Sequence, residues 1–87
     1  MDYARFDYPE NGTSSDKETN RVLEIGKMYE LESVDMGQSH TSIFLKGLRY
    51  SFNSVNFSFW TDNNGKLESF YLQEREEYNP YLRRINK

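Results

Sequence analysis

Cysteine is absent from the 87-residue chain, and histidine occurs only once. Disulfides, thiolate metal sites and cysteine nucleophiles are therefore excluded, and the composition fits a reducing cytoplasm. One histidine without cysteine cannot build a zinc site by itself. No apolar run approaches the ~18–20 residues of a membrane span. The opening MDYARFDYPENG has neither the basic nor the apolar region of a secretory signal. A cytoplasmic protein without a membrane role is expected. A basic excess is missing too. Lys and Arg number 11 against 14 Asp and Glu, a net charge of −3, whereas nucleic-acid binders usually carry a basic surplus on the folded part. Apolar residues are few, at 36%, but 16% of the chain is aromatic. Each ring buries on the order of 150–250 Å², so a few can anchor a small core. A chain under ~100 residues buries only about 60% of its unfolded surface, and a partner or self-association into a homo-oligomer would add to that.

Three segments emerge along the chain. Residues 1–21 are polar and acidic with little periodicity, and they read as an arm, with Tyr3, Phe6 and Tyr8 either packed onto the domain surface or forming a short aromatic anchor for a partner. Residues 1–25 carry six acids and three bases. Residues 22–72 hold the expected β domain. In Gly26–Leu31, Tyr29 and Leu31 share one face, while Met28, Glu30 and Glu32 take the other. Val34 and Met36 continue the pattern one position out of step, which predicts a bulge. A turn over Met36–His40 leads to a second strand, Thr41–Lys46, with Ile43 and Leu45 inward and Phe44 outward. A third runs from Tyr50 to Trp60 with Val55, Phe57 and Phe59 inward and Trp60 outward. Asp62-Asn63-Asn64-Gly65 is a hairpin signal, since Asn-Gly supplies the positive φ angles of tight turns. It pairs the third strand with Lys66–Leu72, placing Phe70 and Leu72 in the core. Residues 73–87 form a charged C-terminal segment, where Asn79-Pro80 suggests a helical turn over Pro80–Ile85 with Tyr81, Leu82 and Ile85 as its apolar side. The pattern predicts a mainly β fold: a small SH3-like or OB-like antiparallel barrel or rolled sheet, with a polar N-terminal arm and a short C-terminal helical turn.

Candidate chemistry is sparse. His40 lies in a turn among Ser39, Thr41 and Ser42 with no nucleophile, base and orienting group converging on it. Glu30 and Glu32, about 7 Å apart at two residues' rise, and the cluster Glu74, Glu76 and Glu77 are interleaved with basic and polar residues, as solvated faces are. No enzymatic activity, metal or cofactor is expected. Outward Phe44, Trp60 and Tyr71, near Lys46 and Arg49, either form an interaction surface or are covered by the two arms folding back. Together with Glu30, Glu32, Asp35, Glu74, Glu76 and Glu77 they form the candidate partner-binding set.

Gly26-Lys27-Met28-Tyr29-Glu30-Leu31, Thr41 to Gly47, Phe52-Asn53-Ser54-Val55-Asn56-Phe57 and Tyr78-Asn79-Pro80-Tyr81 together resemble small SH3-like accessory proteins of bacteriophages and prophages. The resemblance spans residues 26–81 and implies a tight turn at Phe52–Val55, but it brings no catalytic residues. Its implied context is anti-defence: binding and blocking a host protein, including the nucleases of CRISPR systems. In that reading the acidic positions meet a basic nucleic-acid channel and the outward rings act as anchors. Two rival readings are a nucleic-acid-binding regulator using Lys46, Arg49, Trp60 and Tyr71, and a structural, oligomer-forming phage component.

Overall fold

Small or apolar side chains alternate with polar ones in Asp2-Tyr3-Ala4-Arg5-Phe6, and this segment forms the first strand. In the computed structural model, which describes residues 1–82, β1 (Asp2–Phe6) is followed by a short helix α1 (Ser14–Thr19) and a 3₁₀ turn over Asn20–Val22. The strands β2 (Met28–Met36), β3 (Thr41–Leu45), β4 (Ser51–Asn53), β5 (Phe57–Asn63) and β6 (Lys66–Phe70) follow, with 3₁₀ turns over Ser54–Asn56 and Leu72–Glu74. All six strands belong to one antiparallel sheet, ordered β4-β3-β2-β1-β5-β6. The fold is mainly β, as its period-2 patterning implies. The sheet does not close into a barrel: β4 and β6 are its two edges.

The polar-arm reading of residues 1–21 is corrected by this order. β1 lies in the interior of the sheet, with Ala4 opposite both Tyr29 of β2 and Phe59 of β5. Ala4 and Phe6 are buried, while Tyr3 and Arg5 are partly covered on the other face. The rest of the segment is tied down as well. Thr13 and Asp16 form a reciprocal capping box at the start of α1. The Asn53 amide donates to Asp16 Oδ2 at 3.0 Å. Buried Asn56 donates from Nδ2 to the carbonyls of Tyr8 (2.7 Å) and Asn11 (2.9 Å).

The expected bulge is present. Leu31 pairs with Leu45 and Ser33 with Phe44, which leaves Glu32 as the extra residue. Glu32 therefore does not share a regular strand face with Glu30. The Asn-Gly hairpin also forms, with φ of 55° at Asn64 and 85° at Gly65, the left-handed pair that matches strand twist. The single strand expected over Tyr50–Trp60 is instead two strands separated by a turn at Ser54–Asn56. Asn53 Oδ1 accepts from the Val55 N–H at 3.3 Å, a side-chain competitor for ladder bonding. The turn implied over Phe52–Val55 is thus displaced to Ser54–Asn56, with Phe52 and Asn53 belonging to β4.

That turn also shapes the core. Phe52 of β4 and Phe57 of β5 stand 6.2 Å apart, ring to ring, although three strands separate β4 from β5 in the sheet. The sheet is therefore rolled, and its inner face closes on itself around Ala4, Phe6, Leu31, Ile43, Leu45, Phe52, Phe57 and Phe59, with Leu23 and Leu72 filling the ends. Tyr29 and Phe70 pack at the margin. Val55, expected inside, is 46% exposed because it sits on the turn. In the C-terminal segment Asn79 Oδ1 accepts from the Tyr81 N–H at 3.0 Å, as an N-cap would. Residues 83–85 of the expected helical turn, Ile85 among them, lie outside the described residues. No helix among the described residues is long and apolar enough to cross a membrane.

Removing residues 2–6 withdraws an interior strand, so the truncated chain is expected to lose its cooperative melt, read by circular dichroism. Phe52→Ala, at a position only 2% exposed, should cost about 3–5 kcal/mol, and Val55→Ala no more than ~0.5 kcal/mol. A truncated chain melting like the full one would show that β1 is peripheral.

Candidate functional site

The antiparallel pairing of β1 with β5 sets Arg5 opposite Ser58 and Tyr3 opposite Trp60. These four side chains lie on the outer face, away from Ala4, Phe6, Phe57 and Phe59. Asp7, one residue past β1, completes a chain of hydrogen bonds there. Trp60 Nε1 donates to Ser58 Oγ at 2.9 Å, and Ser58 Oγ donates to Asp7 Oδ2 at 2.5 Å. Arg5 Nε donates to the Asp7 carboxylate, at 2.8 Å to Oδ1 and 3.0 Å to Oδ2. The Arg5 guanidinium carbon is 4.7 Å from the centroid of the Trp60 ring, a cation–π stack. Partial burial works against ionising Asp7, but the Arg5 and Ser58 hydrogen bonds and the Arg5 charge outweigh it and hold the carboxyl below its ordinary range. At neutral pH the pair is Arg⁺ and Asp⁻.

This platform forms one wall of a cleft of about 430 Å³, where β6 has ended and the chain turns away through Tyr71 and Leu72. Tyr8, Val55, Phe70 and Tyr71 contribute apolar surface, and among the described residues Arg5 and Asp7 are its only charged lining. Tyr71 is 70% exposed. The arrangement presents one hydrogen-bonded ring, Trp60, one guanidinium held by Asp7, and exposed Tyr8 and Tyr71 beside them.

A second cluster closes the C-terminal segment onto β1. The Tyr78 hydroxyl donates to Asp2 Oδ2, and Arg75 reaches the same oxygen at 3.3 Å. Tyr78 stacks on Phe70 with ring centroids 6.1 Å apart, and the Arg75 guanidinium lies 4.4 Å from the Phe70 centroid. Burial opposes ionisation of Asp2, yet the Tyr78 and Thr61 hydrogen bonds and the Arg75 charge bring its pKa below the ordinary value. Burial, together with that same bond to Asp2, pushes the Tyr78 phenol up. The clasp brings Glu76 and Glu77 beside Asp35, where the three carboxylates line a shallow cleft with Val34 and Pro80.

The candidate residues therefore divide. Trp60 and Tyr71 meet in the aromatic cleft, and Asp35, Glu76 and Glu77 meet in the acidic one. Phe44 is half-buried on β3, three strands from Trp60, or about 14 Å at ordinary strand spacing. Glu30 is paired with Lys46 at 3.6 Å. Glu32 is exposed at the bulge, and Glu74 is exposed in the 3₁₀ turn. Arg5 and Asp7 escaped the sequence reading because residues 1–21 read as an arm, whereas Ser58 lies on the third expected strand. The alternation in Asp2–Phe6, with Arg5 outward, was the available signal. His40 is exposed, with Nε2 3.2 Å from Ser42 Oγ. Among the described residues no three His, Cys, Asp or Glu side chains are grouped so as to hold a metal ion.

A small acidic, mainly β protein built on one rolled antiparallel sheet is the class these features define. The chain belongs to the family described as Bacteriophage T4 protein Y07B, whose model matches residues 1–84. It is thus a phage protein, and the match takes in β1, which the resemblance read from residues 26–81 left out. No curated protein and no solved structure matches it.

The Asp2 clasp has a pH signature. A carboxyl with a lower pKa folded than unfolded adds stability that is complete above its unfolded value, near ~3.9, and is lost as pH falls through the folded one. Asp2→Asn should therefore melt below the wild type at pH 7, and the gap should shrink as pH drops below 4. An equal gap at pH 7 and pH 2.5 would contradict an ionised Asp2 in the clasp.

Proposed function

We propose that this phage protein is a non-catalytic binding module that attaches to a host protein in the bacterial cytoplasm and inhibits it, a defence enzyme such as a CRISPR nuclease being the kind of target its phage context suggests. The observation that carries the reading is the Arg5–Asp7–Ser58–Trp60 platform with exposed Tyr71 at its rim. Trp, Tyr and Arg dominate interface energies, and a ring already held by a hydrogen bond, as Trp60 is by Ser58, loses little entropy on docking. The platform's single cation is compensated by Asp7, a poor footing for a phosphate backbone, whose binding depends on several uncompensated Lys and Arg. The Asp35–Glu76–Glu77 cleft adds negative potential, which suits a basic surface and speeds encounter with it.

The two parts should separate kinetically on a host partner captured with the tagged protein and then immobilised. Trp60→Ala should raise the dissociation rate at least ~10-fold at any salt, as loss of a buried anchor does. Asp35→Lys with Glu76→Lys, which leaves the Arg75–Glu77 ion pair intact, should slow association and flatten its salt dependence, because charge steering is screened over ~8 Å at physiological salt. Unchanged dissociation for Trp60→Ala, together with tight and steeply salt-dependent binding of DNA, would replace this reading with a nucleic-acid one.

A further inference from the structure

Resting on the binding-module reading, we infer that the aromatic cleft is a receptor for a carboxylate: it takes an Asp or Glu side chain, flanked by apolar residues, from an extended segment of the partner protein. The inference starts from which edge of the Arg5 guanidinium is already used. Asp7 engages Nε with both of its oxygens. The two terminal nitrogens make no hydrogen bond among the described residues, and the Arg5 side chain is 38% exposed. The contact with the Trp60 ring and the two Nε bonds to Asp7 together hold the group in place. What remains is the end-on pair of N–H donors, the fork that matches a carboxylate bidentately.

The surroundings select among anions. Arg5 and Asp7 cancel, so the cleft as a whole is neutral, and the nearby acidic trio repels polyanions. Phosphate groups on a nucleic acid are thereby disfavoured relative to a single carboxylate held in hydrogen-bond geometry. Tyr8, Phe70 and Tyr71 supply the apolar walls, so the carboxylate would arrive beside an aromatic or aliphatic neighbour. Met36 lines both the aromatic and the acidic cleft. A partner segment running from one to the other would carry its acid first and Lys or Arg further along.

Trp60 is the chain's only tryptophan, so its fluorescence reports this site alone. The probes are acetyl-Phe-Glu-Leu-amide and its isostere acetyl-Phe-Gln-Leu-amide, titrated into the full-length protein. The Glu peptide should bind at least ~10-fold more tightly than the Gln peptide. Arg5→Lys should shrink that preference several-fold, because an ammonium keeps the charge but cannot form the planar fork. Tyr71→Ala should weaken both peptides several-fold while preserving the ratio. Should Arg5→Lys fail to melt as the wild type does, the Glu-to-Gln ratio on the wild-type protein decides the matter alone. Equal binding of the two peptides, or no binding of either at tens of millimolar, overturns the inference. So does tighter binding of a short oligothymidylate. A free-acid acetyl-Phe-Gln-Leu that binds as well as the Glu peptide would make the source a chain terminus and overturn the side-chain assignment. If a captured host protein depends on Trp60 but not on Arg5, the binding-module reading stands and this inference falls.

Discussion

The structure depends on one insertion: β1, the first strand made, lies in the interior of the sheet, between β2 and β5. The β2–β3–β4 half and the β5–β6 half share no strand pairing except through it. Its two ladders join residues distant in sequence, so loop-closure entropy is spent before they form. What offsets that cost is burial on one face: Phe6 meets Phe57 at 5.7 Å between ring centroids, and Ala4 is fully covered between Tyr29 and Phe59. The roll of the sheet follows, since Phe57 then reaches Phe52 from the far edge strand.

The same insertion builds the candidate site on the opposite face. Side chains alternate along a strand, so burying Ala4 and Phe6 obliges Tyr3 and Arg5 to face outward over β5. Arg5 then stacks on Trp60, and Asp7 caps both Arg5 and Ser58. Stability and binding geometry are thus two sides of a single five-residue strand. The clasp of Asp2 by Tyr78 and Arg75 extends the dependence to the C-terminal segment, which carries Glu76 and Glu77 to Asp35. Both clefts owe their shape to residues at the very start of the chain.

Much of the sheet was legible because its signals are local. The Asn64-Gly65 turn, the Thr41–Leu45 alternation and the phase slip around Glu32 each act within a few residues. β1 was not, because Ala is a weak strand former and the charges of Asp2, Arg5 and Asp7 mask a pattern whose inward positions are only Ala4 and Phe6. The Tyr50–Trp60 run misled for the opposite reason. Its alternation is good, but Asn53 and Asn56 divert the backbone, and long-range bonds from Asn56 to Tyr8 and Asn11 and from Asn53 to Asp16 hold the break. At the site, Trp60 and Tyr71 were readable as outward rings. Their partners Arg5 and Asp7 became visible only through the long-range pairing of β1 with β5.

The claim on which the functional reading rests is that the outer face of β1 and β5 is the surface the protein uses on its target. Site-specific photo-crosslinking during phage infection tests it directly, with a photoreactive phenylalanine analogue placed at the position of Tyr71 or, three strands from Trp60, at that of Phe44. A single host protein joined to the probe at position 71 and not to the probe at position 44 is the expected result. Adducts formed only from position 44, or adducts to nucleic acid from either position, would contradict it.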